Sequence, residues 1–260
     1  SGPGSLTKTG EGSLQLSGQN TYEGSTTIRE GSLSISGALN DATAVTIEAA
    51  GIYELSADDT VGSIAGNGAI SLGSSTLTVG GGNGSTEFSG VVSGTGGLTK
   101  QGTGTLTLSG LNTYTGQTFI NGGTLFVSGS LSDFTDVVVG EASQYELSAD
   151  DTVGSIAGSG SIALNAYQLT AGGTLDTIFS GVMSGSGGFT KVGSGVLTFS
   201  GNNTYSGSTD VNQGELNVIG AGPYSATCAD GASSNICGSG SIPYVEDPGY
   251  VVDPGYGDSG

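Results

Sequence analysis

The chain has 260 residues, with 52 Gly, no Trp, one Met and 34% hydrophobic residues, too few large apolar side chains to fill a thick mixed core. Twenty-three acidic residues against four basic ones, with no His, give a formal charge of −19. That balance repels nucleic acid and anionic membranes, and the missing His excludes a Ser-His-Asp triad and a His-ligated zinc site.

Residues 6–37 (LTKTGEGSLQLSGQNTYEGSTTIREGSLSISG) alternate apolar and polar positions, as in Leu14-Gln15-Leu16, which is the period of a strand. Gly, Ser, Asn and Asp fill the intervals, where tight turns need positive φ or local side-chain hydrogen bonds. A second unit, YELSADDTVGSIAG, occupies residues 53–66. The first unit returns at 98–129 (LTKQGTGTLTLSGLNTYTGQTFINGGTLFVSG), the second recurs unchanged at 145–158, and the first returns again at 189–220 (FTKVGSGVLTFSGNNTYSGSTDVNQGELNVIG). Spacings are 92 and 91 residues for the first unit and 92 for the second. The opening SGPGSLTK matches SGTGGLTK at 93–100, so Ser1 falls inside a repeat and the chain reads as a mature or excised piece. No run has helical periodicity, and none approaches the roughly 20 apolar residues of a membrane helix, so no membrane insertion by this segment is expected.

The order is A-B-A-B-A over residues 1–220, followed by a non-repeating tail at 221–260. Fixed self-similarity of this kind predicts a solenoid or array. Strands of about four to six residues between Gly-rich turns imply coils of roughly 20 residues, four or five to a unit. Ten to twelve coils at about 4.8 Å each would make a rod on the order of 50–60 Å long. The fold class predicted is all-β, a parallel β-helix (β-solenoid). A propeller, the structural alternative, needs more regular spacing and aromatic blade markers.

Several residue sets invite a functional reading, each beside a structural one. Asn20, Asn112 and Asn203 recur in SGxNTYxG, either as a sugar-binding polar stripe or as turn caps and an internal ladder. Tyr22, Tyr114 and Tyr205 are expected to pack as one column. Lys8, Lys100 and Lys191 share one repeat position, where a cation pairs with neighbouring acids or sits at a turn. A triplicated residue argues against catalysis, because an active site is normally unique. The doublets Asp58-Asp59 and Asp150-Asp151 are the nearest approach to paired carboxylates. Adjacent strand residues point to opposite faces, and on the exposed turn expected here both face water, so no glycosidase pair is read. Calcium is the one cofactor left open, with these four acids as its candidates, although the GGxGxDxUx repeat is absent. Gly80-Gly81-Gly82-Asn83-Gly84 lacks GK[ST] and a following helix, and reads as a corner turn.

Cys228 and Cys237 have neither CxxC spacing nor a His partner, which predicts a local disulfide in an oxidising compartment. Beyond them, SIPYVEDPGYVVDPGYGDSG carries Pro248 and Pro254, which preclude regular central-strand pairing. This tail reads as a solvated linker, or as an arm that adds a strand to a neighbour.

The A unit, (L/F)TKxGxGxLxxSGxNTYxGxT followed by GxLxVxG, resembles the autotransporter-associated β-strand repeat of type V secretion passengers. The B unit, TVGSIAGxGxI, is similar to companion repeats of such passengers, and together they cover about 220 residues. The resemblance implies a right-handed parallel β-helix at the extracellular or outer-membrane surface of a Gram-negative bacterium. The repeat is shared by adhesins, autoaggregation factors and passengers with separate enzymatic domains, so it fixes fold and compartment better than activity. Repeats, compartment and the empty catalytic inventory together point to an adhesive or structural stalk or fibre rather than an enzyme, with other cells or surface glycans as partners. A self-assembling filament stacked end to end is the first alternative, and a carbohydrate-active β-helix lyase or depolymerase the second.

Overall fold

The computed structural model describes residues 2–222, 224, 226–229 and 231–236. Cys237 and the tail segment that follows it lie outside the described residues.

Alternating apolar residues form strands whose inner positions are buried, as in Thr105–Leu108, where Leu106 and Leu108 point inward. Successive strands pair in parallel one coil apart. Paired residues stand 17 positions apart at the tightest coil (Tyr145 with Ile162) and 22 at the widest (Gly66 with Phe88). The result is a parallel β-solenoid of about 12 turns, all-β and without a helix among the described residues. Parallel pairing throughout excludes the propeller, whose blades are antiparallel.

Each coil contributes to three faces. The first is the long path of a 13-stranded sheet, beginning at Leu6–Lys8. The third is a 10-stranded sheet running from Asp59–Val61 to Ser233–Ser234. The second begins as branches of the 13-stranded sheet, among them Ser13–Leu16 and Ala69–Ser71, and ends as a five-stranded sheet from Asp151–Val153 to Ala226–Cys228. Between those parts single hydrogen bonds carry the stack, from Thr113 N to Val92 O (2.9 Å) and from Leu131 N to Asp151 Oδ1 (3.1 Å). Many strands have only three residues, fewer than expected. Two run to 10 and 12, Thr26–Ile35 and Ala44–Leu55, because their pairing with each other continues across the corner, with a register shift after Ile28 and a positive φ at Gly31.

Inward residues stack in columns, such as Val61, Val79, Lys100, Ile120 and Val139 on the third face. Farther along this column Phe179 and Phe199 follow, ring centroids 6.3 Å apart, and Phe189 from the second face meets Phe199 at 5.0 Å. Strands Ala226–Cys228 and Ser233–Ser234 continue the stack past residue 220, where the repeat ends.

The repeat unit does not fill a whole number of coils. Leu6–Lys8 lies on the first face, Leu98–Lys100 on the third and Phe189–Lys191 on the second. Following the register, each unit advances four and two-thirds coils, so equivalent residues look out from a different face in each unit. The three tyrosines therefore do not form one column. Tyr22 bridges Gly2 on the third face, Tyr114 follows Val92 on the second, and Tyr205 N bonds Met183 O on the first.

Glycine stacking makes one corner possible. A Cβ at Gly90 would lie 1.7 Å from Gly68 O, one at Gly110 1.9 Å from Gly90 O, and one at Gly129 2.1 Å from Gly110 O. Backbones of successive coils touch there, and no side chain fits between them. We expect Gly110→Ala to destabilise the rod by about 1–3 kcal/mol through overpacking. Gly84→Ala, with nothing within 4 Å of its added Cβ, should change stability far less in the same thermal melt.

Candidate functional site

The corners carry the buried polar groups. Asn112 is buried, and its Oδ1 accepts from Val92 N (3.1 Å), one coil before. Its Nδ2 donates to Gly110 O (3.0 Å) and to Ser130 O (3.0 Å), the latter one coil after. A single side chain thus takes the place of a strand and ties three coils together. Asn203 accepts from Met183 N (2.6 Å) and donates to the Tyr224 hydroxyl (2.8 Å), while Asn20 donates to Gly18 O and Ala38 O. Asn235 does the same against Val218. Each repeat tyrosine shares a hydrogen bond with the threonine four residues on: Tyr22 with Thr26, Tyr114 with Thr118 and Tyr205 with Thr209.

The Asp doublets split, contrary to an exposed turn. Asp58 and Asp150 are exposed and accept from Thr76 N (2.8 Å) and Gln168 N (2.9 Å). Asp59 and Asp151 are buried, because the doublet enters a strand and its second residue faces the core. Asp59 Oδ1 accepts from Leu39 N (3.0 Å) and Asp151 Oδ1 from Leu131 N (3.1 Å), so both bond back to the preceding coil as Asn112 does. The other oxygen of each accepts from a buried tyrosine, Tyr53 or Tyr145. The members of a doublet therefore face opposite sides of the wall, and among the described residues no three His, Cys, Asp or Glu side chains converge on a metal position.

The repeat lysines form no salt bridge among the described residues, although Asp176 lies near enough to Lys191 to favour its charge. Lys100 is buried, and its ammonium donates to Gln101 O (2.9 Å), Gly102 O (3.0 Å) and Gly122 O (3.0 Å). Lys8 and Lys191 reach the equivalent carbonyls. Burial pulls the Lys100 and Lys191 ammonium groups below the usual lysine range. Three carbonyl dipoles stand in for a counter-ion and close the Gly turn. The one ion pair among the described residues is exposed, Arg29 to Glu48 at 3.4 Å.

Outside, most strands show Thr or Ser. The third face differs, because its outward positions run Phe119, Val138, Ala157 and Ile178 on four successive coils. Beside this stripe Phe134 and Leu175 stand at one corner, 77% and 72% exposed, over an open cleft of about 400 Å³ that Asp133 and Asp136 also line. Sequence reading passed over this face. The signal was available in comparing units, since TTI at 26–28 becomes TFI at 118–120.

Comparison with known proteins fits the interior. The passenger-associated transport repeat family matches residues 6–35, 98–127 and 189–218. The chain carries the autotransporter passenger repeat. A curated relative, the adhesin BmaC autotransporter of Brucella suis biovar 1 (strain 1330), is 35% identical over 281 residues, covering 96% of this chain. The chain spans 8% of that relative's length. No solved structure matches it.

In each passenger repeat the Lys, the Asn and the Tyr of the motif are buried or half-buried, so what marks the family is wall construction. Cys228 closes strand Ala226–Cys228 opposite Val211. The buried acids between the repeats give the wall a pH dependence. Desolvation pushes the Asp151 carboxyl up to about 6, against the hydrogen bonds from Tyr145, Leu131 and Thr152, and Asp59 is raised for the same reason. A carboxyl that is harder to ionise folded than unfolded adds stability below its unfolded range near 4, and that stability is lost as pH rises through about 6. The effect of Asp151 is on the order of 3 kcal/mol. The melting temperature should therefore rise as pH is lowered from 7.5 to 5. Asp151→Asn, which keeps the acceptor to Leu131 N, should raise stability at pH 7.5 and flatten this pH dependence.

Proposed function

We propose that this chain is a segment of a surface-displayed adhesive stalk of a Gram-negative bacterium. One observation carries the reading: 35% identity to an autotransporter adhesin across 96% of the chain. The physical character of the rod supports it. Backbone groups are paired from coil to coil, polar side chains lock the corners, and the outer surface is acidic and rich in hydroxyl groups, suited to a soluble spacer that resists unfolding. A non-enzymatic role agrees with the use of Asp59, Asp151 and the three lysines as structural bonds within the wall. An oxidising exterior is also where a Cys228–Cys237 disulfide would persist.

Display of the full chain on a Gram-negative cell through a heterologous autotransporter barrel tests this directly. Cells carrying it should attach to each other or to a host-cell layer under flow more strongly than cells carrying the barrel with a linker of matched length and charge. Equal attachment would refute the adhesive role while leaving the repeat assignment intact.

A further inference from the structure

Features that recur in both units belong to the scaffold. The corner groove lined by Gly51, Gly68 and Val91 has a counterpart 92 or 91 residues on, lined by Ser143, Gly160 and Val182. The apolar third face has no such counterpart. Ninety-two residues earlier, Phe119, Phe134 and Val138 are replaced by Thr27, Ala42 and Thr46, and Ile178 is preceded 91 residues earlier by Glu87. Thr27 and Thr46 hold the same stacked register on the first face as Phe119 and Val138 hold on the third. The fold therefore accepts small or polar residues at these places, and packing does not explain the apolar ones. Along the same column the stripe is bounded by Thr99 before it and Thr198 after it.

We propose that this face, from Phe119 to Ile178 with Phe134 and Leu175 at its corner, is a docking surface for a basic polypeptide segment bearing apolar side chains. Six apolar side chains gathered on one side of four coils, two of them more than 70% exposed, form the kind of patch that marks an interaction site. Charge selects the occupant. Asp133 and Asp136 line the cleft, Asp136 held by Ser155 Oγ (2.6 Å), and Asp176, next in the chain after Leu175, is held by Val196 N (2.8 Å). Of the four cations, Lys191 feels the Asp176 charge but is buried and bound to three carbonyls, which leaves the rim net negative; Lys8 and Lys100 are buried too, and Arg29 pairs with Glu48. A second copy would bring another −19 charge against this rim, and an anionic membrane would be repelled in the same way. A segment whose Lys or Arg residues flank apolar side chains satisfies both the stripe and the rim. The inference stands independently of the adhesive reading, because it concerns binding of a soluble ligand.

The test uses the full chain immobilised on a biosensor and three short synthetic peptides: alternating Lys and Leu, alternating Glu and Leu, and alternating Lys and Ser. The Lys–Leu peptide should bind at low salt and weaken as salt is raised, the other two binding about tenfold more weakly or not at all. The variant F119T/F134A/V138T, which installs the residues of the earlier unit, should melt like the parent and lose about tenfold or more in affinity. Unchanged binding by that variant would overturn the proposal, as would equal binding of the Lys–Leu and Glu–Leu peptides. Sedimentation that shows the parent dimerising and the variant monomeric would make a second copy the occupant instead. Binding of a neutral oligosaccharide, lost in the variant while peptide binding persists, would assign the face to glycan.

Discussion

Parallel backbone pairing between coils about 20 residues apart is the constraint from which the rest follows. A strand of three residues has little stability alone, and neither does a coil of three such strands. Each is held because its N–H and C=O groups meet the coil before and the coil after, and because its inward side chains continue a column. The corners are where that pairing would fail. Glycines let the backbones touch at some of them, and at others Asn112, Asn203 or Asp151 supplies the missing acceptor from its side chain.

Those side chains explain why a chain with so few large apolar residues can fold. The rod is narrow, so its interior is one layer of Leu, Val, Ile, Phe and Tyr, and buried polar groups such as Lys100, Asn112 and Asp151 sit within that layer. Lys100 occupies an inward position between Val79 and Ile120, its ammonium bound by three carbonyls. Asn and Asp alternate in one structural role along the rod. The Asp version carries a desolvation cost that the Asn version avoids, which makes the stability of the B units depend on pH at Asp59 and Asp151.

The fold class was legible because period-two alternation and a repeat of about 92 residues are local signals that tertiary packing did not override. Much about the site was not legible. Asp58-Asp59 reads as a hydrophilic turn, and only the coil geometry reveals that the second carboxylate enters the core to meet Tyr53. The three repeat tyrosines invite stacking in one column, yet a unit of four and two-thirds coils turns each to a different face. The same rotation hid the apolar stripe, since Phe119, Val138, Ala157 and Ile178 are scattered in sequence and meet only through register. Identity between units points to construction, and departures from it point to surface that the fold does not dictate.

Register is therefore the quantity to measure. Parallel neighbours at outward positions lie close enough for a disulfide, so Thr99→Cys with Phe119→Cys, in a background without Cys228 and Cys237, probes it directly. The structure predicts rapid closure of that pair on mild oxidation, identified by peptide mass spectrometry. The companion pair Thr99→Cys with Gln117→Cys should stay open. Closure of the Gln117 pair instead would mean shorter coils that fit the 92-residue unit a whole number of times, and the rotation of repeats around the rod would be wrong.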